Sequence, residues 1–288
     1  MTNFLHDNPD LAFYVDHWIR WEKLHPLVEL NPEDEDGFTT SEEAQEFYRE
    51  VLEQVGEFAA QEVAPFSSEL DQSKPKLIDG EVQSSPHMDR IFALLAEMGL
   101  NGLCVPRELG GLNCPSMIYF IIGELMARAD VSVMTHLGFH TGIAATLLLY
   151  NLEEGSVEFD QDSGTLLEAR FSEEIKRIIE GEAWGSMDIT EPDAGSDMSA
   201  IRTKGWQEDG QWLVSGTKLF ITSGHGQYHL VVARTETEKD DANPMAGLAG
   251  LSLFLVEAYT EDVNGKRVRL ATVERIEDKI GHHASATV

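Results

Sequence analysis

Near Trp184 the texture of the chain changes, and that change limits the folds open to it. Upstream, apolar residues recur at helical spacing. Residues 41–63 place Ala44, Phe47, Val51, Val55, Phe58, Ala59 and Val63 on one face, acids crowd the first turn after a Ser/Thr cap, and Pro65 ends the run. Residues 86–99 predict a second helix opening at Pro86 and closing at Gly99. Residues 116–129 and 132–150 are apolar on every face and predict central helices of a bundle. Residues 151–168 read as an exposed loop and 170–180 as a short amphipathic helix. Downstream of Trp184 come short alternating runs separated by glycine, asparagine and aspartate, with Asp209-Gly210 as a hairpin turn. Helices first and strands second predict an α+β chain in two segregated layers or domains rather than a βαβ sheet.

The 288 residues hold 51 Asp and Glu against 21 Lys and Arg, a net charge of −30. Such a surface repels a phosphate backbone and an anionic bilayer, so neither nucleic acid nor a membrane surface is an expected partner. An anion held locally by backbone N–H groups remains compatible with it. Apolar residues at 42% suit a folded core. Cys104 and Cys114, each close to a proline, read as small core residues of a reducing compartment, with a disulfide as the alternative. The N-terminus lacks a basic segment followed by an apolar one, and no run reaches about 18 uncharged apolar residues, which points to a cytoplasmic protein without a membrane span. The acidic run Glu33-Asp34-Glu35-Asp36 reads as a solvated loop.

Chemistry concentrates in WGSMDITEPDAGSD, residues 184–197. A strand from Ser186 to Thr190 runs into Glu191-Pro192, where the backbone must turn away. Ala194-Gly195-Ser196 lets backbone N–H groups approach a ligand, with the Thr190 and Ser196 hydroxyls as donors. The segment Gly216 to Gly224 repeats the theme. Read as a strand, it alternates Leu219/Ile221 with Phe220/Thr222, so a ring and a hydroxyl share one face. That pairing suits a flat cofactor; a buried Phe and a sheet Thr are the plainer alternative. His225 and His229, four apart in turn and strand, are too distant for one ion and read with His282 and His283 as hydrogen-bonded loop residues, so no metal site is expected. Lys218 and Arg234 read as solvated surface cations.

Taken in order, TEPDAGSD, GTKLFITSG and YHLVVARTE resemble the middle domain of the acyl-CoA dehydrogenase family. Upstream LAEMGLNGLCVPRELGGL resembles its N-terminal helical domain, and downstream GLSLFLVE and ERIEDKIGHHASAT resemble its later strands, in a spelling closer to a divergent bacterial branch. The resemblance covers most of residues 41–288. It implies an N-terminal α-helical bundle (41–183) after an extension (1–40), followed by an antiparallel β-barrel-like middle domain (184–288), truncated.

It also implies FAD. Met187, Ile189 and Thr190 would line the flavin, Thr190 bonding its pyrimidine edge. Gly195 and Ser196 would lie where flavin and acyl-CoA meet, Ser196 touching the CoA. Phe220 would pack on the flavin, beside Ile221, and Thr222 would donate to the N5 region. Asp188 stands where the family places a small or apolar residue; pointing away from Met187 and Ile189, it reads as structural. The implied reaction is α,β-dehydrogenation of an acyl-CoA thioester, with electrons passed to an electron-transfer flavoprotein or similar acceptor, in a homo-oligomer when full-length. The family's glutamate base lies in a C-terminal helical bundle, so no catalytic base is expected within these residues, and the chain is expected to be a fragment. The alternatives are an acyl-CoA oxidase-like flavoenzyme, or a non-catalytic remnant that binds flavin or acyl-CoA without turnover.

Overall fold

The computed structural model describes residues 3–29, 32, 37–160, 166–236, 246–283 and 285–288, so the run Glu33–Asp36 lies outside it. The chain divides into two compact units, Met1–Ser73 with Ser85–Glu182, and Lys74–Ser84 with Ala183–Val288. The α-helices of the first unit are α1 (Pro9–Phe13), α2 (Trp21–Val28), α3 (Ser41–Phe58), α4 (Ser67–Gln72), α5 (Pro86–Glu97), α6 (Ser116–Ala129), α7 (Val131–Glu154) and α8 (Ser172–Ile179), and a short α9 (Ala246–Ala249) lies in the second unit. Two short hairpins interrupt this series: β1 (Lys76–Ile78) with β2 (Glu81–Gln83), which belongs to the second unit, and β3 (Val157–Phe159) with β4 (Leu166–Ala169). The second hairpin and an extended α7 take most of the stretch read as a loop over 151–168; residues 161–165 lie outside the described set.

Helix α3 begins with a reciprocal cap. The Glu43 N–H donates to Thr40 Oγ1 at 3.2 Å, and the Thr40 N–H donates to Glu43 Oε2 at 3.1 Å. Its inward face buries Ala44, Tyr48, Leu52, Val55 and Phe58. Residues before it pack on the same helix: the Trp21 and Tyr48 rings stack at 5.9 Å, and Gly56 leaves no room for a Cβ beside Asn3. Arg107 grips the buried Glu29 carboxylate with both nitrogens, at 2.7 and 2.8 Å.

Helices α6 and α7 supply the centre of this unit, with Ile118, Ile122, Leu125 and Met126 buried on one and Val133, Leu137, Ile143 and Leu147 on the other. Each fully buried aliphatic chain contributes roughly 1.5–3 kcal/mol. Length and composition alone would let α7 cross a membrane, which the sequence reading did not allow. The buried His136, His140, Thr141 and Asn151 along it fit a protein core. Cys104 and Cys114 are both free thiols.

The strands of the second unit are β5 (Gly185–Asp188), β6 (Lys204–Glu208), β7 (Gln211–Ser215), β8 (Ile221–Thr222), β9 (Tyr228–Arg234), β10 (Leu251–Glu257), β11 (Tyr259–Glu261), β12 (Arg267–Arg269), β13 (Arg275–Ile276) and β14 (Ser285–Thr287). The largest sheet runs β10-β9-β6-β7, with β5 also on β9. Strand β9 is buried from Tyr228 to Ala233 and is paired on both edges. The sheet is mixed, not antiparallel throughout: β5 and β6 both run parallel to β9. Among the described residues the ladders β13-β14-β8, β11-β12 and β1-β2 stay separate from it, so no barrel closes. The β6–β7 turn sits at Asp209 (φ 50°) and Gly210 (φ 79°), the two left-handed residues of a type I′ hairpin.

Candidate functional site

Strand β5 carries the segment that leads to Thr190. Along it Ser186 and Asp188 are buried, while Met187 and Ile189 alternate with them and are half-buried. Ile189 packs on Ala194, Ile201 and Val232. On the buried face, Ser186 Oγ donates to Asp188 Oδ1 at 2.6 Å, and His229 Nδ1 lies 2.9 Å from Asp188 Oδ2. His229 Nδ1 also lies 3.0 Å from Ser186 Oγ, so the three side chains form one buried network. Asp188 is thus held structurally, as its opposed direction implied. His229 is a buried strand residue rather than a loop one, and a polar partner on a neighbouring strand was the signal that sequence reading missed.

After Asp188 the backbone leaves the sheet. Glu191 and Ala194 close a tight turn, each N–H donating to the other's carbonyl at 3.0 and 3.2 Å. Gly195 and Ser196 sit exposed on that turn. The Glu191 side chain folds inward and is 6% exposed. It accepts from the N–H groups of Arg202 at 2.7 Å and Thr203 at 3.0 Å, and from Lys218 Nζ at 2.9 Å. Burial alone would raise its pKa, but these hydrogen bonds outweigh burial and hold it down at about 2.

Lys218 is not a solvated cation. Its side chain is 4% exposed, and Nζ also donates to the carbonyls of Ile189 at 3.0 Å and Val232 at 2.7 Å. Burial lowers its pKa against the opposing pull of Glu191. Arg234 is likewise committed, donating to the carbonyls of Ile201 and Ser199 at 3.2 and 2.9 Å.

The second segment does not form the strand expected from its alternation. Phe220 (φ 58°) and Ser223 (φ 57°) are left-handed, which confines the strand to Ile221–Thr222. The shared face of Phe220 and Thr222 therefore does not follow from a two-residue period. Ile221 is buried and pairs with Ala286, while Thr222 pairs with Ser285. Phe220 is 53% exposed. The two segments do meet: the Leu219 N–H donates to the Thr190 carbonyl at 2.8 Å. Thr190 and Phe220–Thr222 therefore lie on adjoining backbone, whereas Gly195 and Ser196 stand on the turn beyond.

One further residue joins them. His282 Nε2 lies 3.1 Å from Thr222 Oγ1. Burial, with the charges of Lys279 and His283, pushes the His282 pKa down to about 4, so its ring is neutral at pH 7. With Nε2 carrying the proton, Thr222 accepts from it and keeps its own O–H to donate elsewhere.

The family model for the acyl-CoA dehydrogenase N-terminal domain matches residues 45–155, and that for the middle domain matches residues 186–287. A 3-methylmercaptopropionyl-CoA dehydrogenase of Ruegeria pomeroyi is 29% identical over 286 residues, covering 96% of this chain and 43% of that protein. The broad-specificity linear acyl-CoA dehydrogenase FadE5 of Mycobacterium tuberculosis is 32% identical over 254 residues, covering 83% of this chain and 37% of that protein. The chain thus spans less than half the length of either relative. The solved butyryl-CoA dehydrogenase of Megasphaera elsdenii shares the fold at a TM-score of 0.60 and 22% identity, over 83% of this chain and 54% of that one. With both domain matches in the same order and across most of its residues, the chain belongs to the acyl-CoA dehydrogenase family.

Proposed function

We propose that this chain carries the flavin-contacting surface of an enzyme that desaturates acyl-CoA thioesters between the α and β carbons. FAD would be held with its pyrimidine edge at Thr190 and its N5 region at Thr222. The observation that supports this most is the Leu219 N–H to Thr190 carbonyl bond at 2.8 Å, which couples the two segments whose motifs point to flavin.

The residues present fit the group. Phe220 holds a left-handed backbone that costs a bulky residue on the order of 1–3 kcal/mol, and its ring stays 53% exposed. An aromatic ring kept out of a core at such a cost suits a stacking partner. Thr190 is half-buried with its carbonyl already used, which leaves its hydroxyl for a heterocycle edge. The Thr222 O–H, backed by neutral His282, would donate to the N5 region without bringing in a charge. Met187 and Ile189 would supply apolar contact and keep water from the ring. Ser196, exposed on its turn, would meet the CoA portion. FAD, when bound, supplies the hydride acceptor for the desaturation.

The test is to incubate the chain with FAD, remove free flavin by gel filtration and record the visible spectrum. Flavin retained with the protein supports the reading, and a colourless protein contradicts it. Bleaching of retained flavin by an acyl-CoA separates turnover from binding alone.

A further inference from the structure

The parallel ladder of β5 with β9 runs from Gly185↔Tyr228 to Asp188↔Val231 and stops. The next two residues in register are Ile189 and Val232. Their carbonyls both accept from Lys218 Nζ, at 3.0 and 2.7 Å. The third ammonium proton goes to Glu191 Oε1 at 2.9 Å, so three donors meet three acceptors in a site where the lysine is 4% and the glutamate 6% exposed. The backbone of Lys218 is pinned as well, exchanging N–H···O bonds with Val288 at 2.8 and 2.9 Å. The following residue, Leu219, donates to the Thr190 carbonyl.

We propose that Lys218 is the positioning residue for the flavin-contacting edge at Ile189–Thr190. Its ammonium stands where the ladder would continue, and so ends β5 and frees Thr190 from the sheet. The adjoining Leu219 amide then fixes where Thr190 lies. Glu191 supplies the counter-charge that keeps the ammonium buried. This assignment rests on the flavin reading above for its purpose, but its geometry stands within the second unit alone. No proton of the Lys218 ammonium is left over for an anionic ligand.

Two variants test it: Lys218→Met, and Glu191→Gln combined with Lys218→Met. The double variant removes both buried charges, while the amide oxygen at position 191 still accepts from the Arg202 and Thr203 N–H groups. A lysine that only stabilises the unit is therefore rescued by the double change, whereas a positioning lysine is not. Two readouts are taken: amide hydrogen exchange without flavin, and FAD affinity by fluorescence titration. We expect the backbone amides at positions 191, 194 and 219 to exchange at least ~10-fold faster in both variants while those of β6 and β7 keep their rates. FAD affinity should fall by ~10-fold, the scale of one lost hydrogen bond. If Lys218→Met does not fold, the double variant carries the test. A folded double variant with wild-type exchange in residues 189–194 and at Leu219 overturns the assignment. If the wild-type chain binds no FAD, the flavin reading fails by itself, and the exchange rates still decide what Lys218 does.

Discussion

His229 Nδ1 lies 2.9 Å from Asp188 Oδ2, with both side chains 2% exposed. In the parallel register Ser186 faces His229 and Asp188 faces Val231, so the contact crosses diagonally between β5 and β9 on their buried face. It ties the strand that leads to Thr190 to the most buried strand of its sheet.

Removing one partner of such a contact costs the other a buried hydrogen bond. His229→Ala should destabilise the chain by about 3–5 kcal/mol, and Asp188→Asn by less, because the amide still accepts from Ser186. Urea unfolding of both variants checks this. A His229→Ala loss below about 1 kcal/mol would show that the contact contributes little.

The acid limb of stability should report Glu191. Its folded pKa is about 2 against an ordinary 4.5, so the stability it contributes is fully present above pH 4.5 and is lost as pH falls through 2. Between those values the wild-type chain should lose stability more steeply than Glu191→Gln. Equal slopes for the two proteins across that window, measured by thermal melts at stepped pH, would contradict the depressed pKa.

Much of the helical unit was legible in the sequence because amphipathic spacing is a local signal. The cap at Thr40, the start at Pro86 and the Asp209-Gly210 turn all follow from neighbours a few residues apart. Long-range facts were not legible. The β1–β2 hairpin has three-residue strands, too short to show a period, and its Glu81 meets Tyr259 and Arg269 far along the chain. Lys218 was read as exposed because an isolated lysine in a strand-like run normally is; its acceptors lie 14 to 29 residues away. The positive φ of Phe220 runs against the residue's own preference, so no local rule foresees it. The pairing of Thr222 with His282 spans 60 residues. The Thr190 and Thr222 motifs themselves were visible, but the bond that joins their segments was not.

Gly210 isolates a backbone effect. A Cβ there would meet nothing within 4 Å, yet φ is 79°. Gly210→Ala should therefore cost about 1–2 kcal/mol through backbone strain alone, and lower the melting temperature without changing any ligand property. A variant as stable as wild type would mean that the turn relaxes to another type.

FAD affinity of the wild-type chain compared with Thr190→Val, Thr222→Val and Gly210→Ala bears most directly on the flavin surface. Wild type and Gly210→Ala should bind alike, and each threonine variant should bind about 10-fold more weakly for the loss of one hydroxyl bond. A wild-type chain that binds no FAD, or threonine variants that bind it as tightly as wild type, would contradict the account.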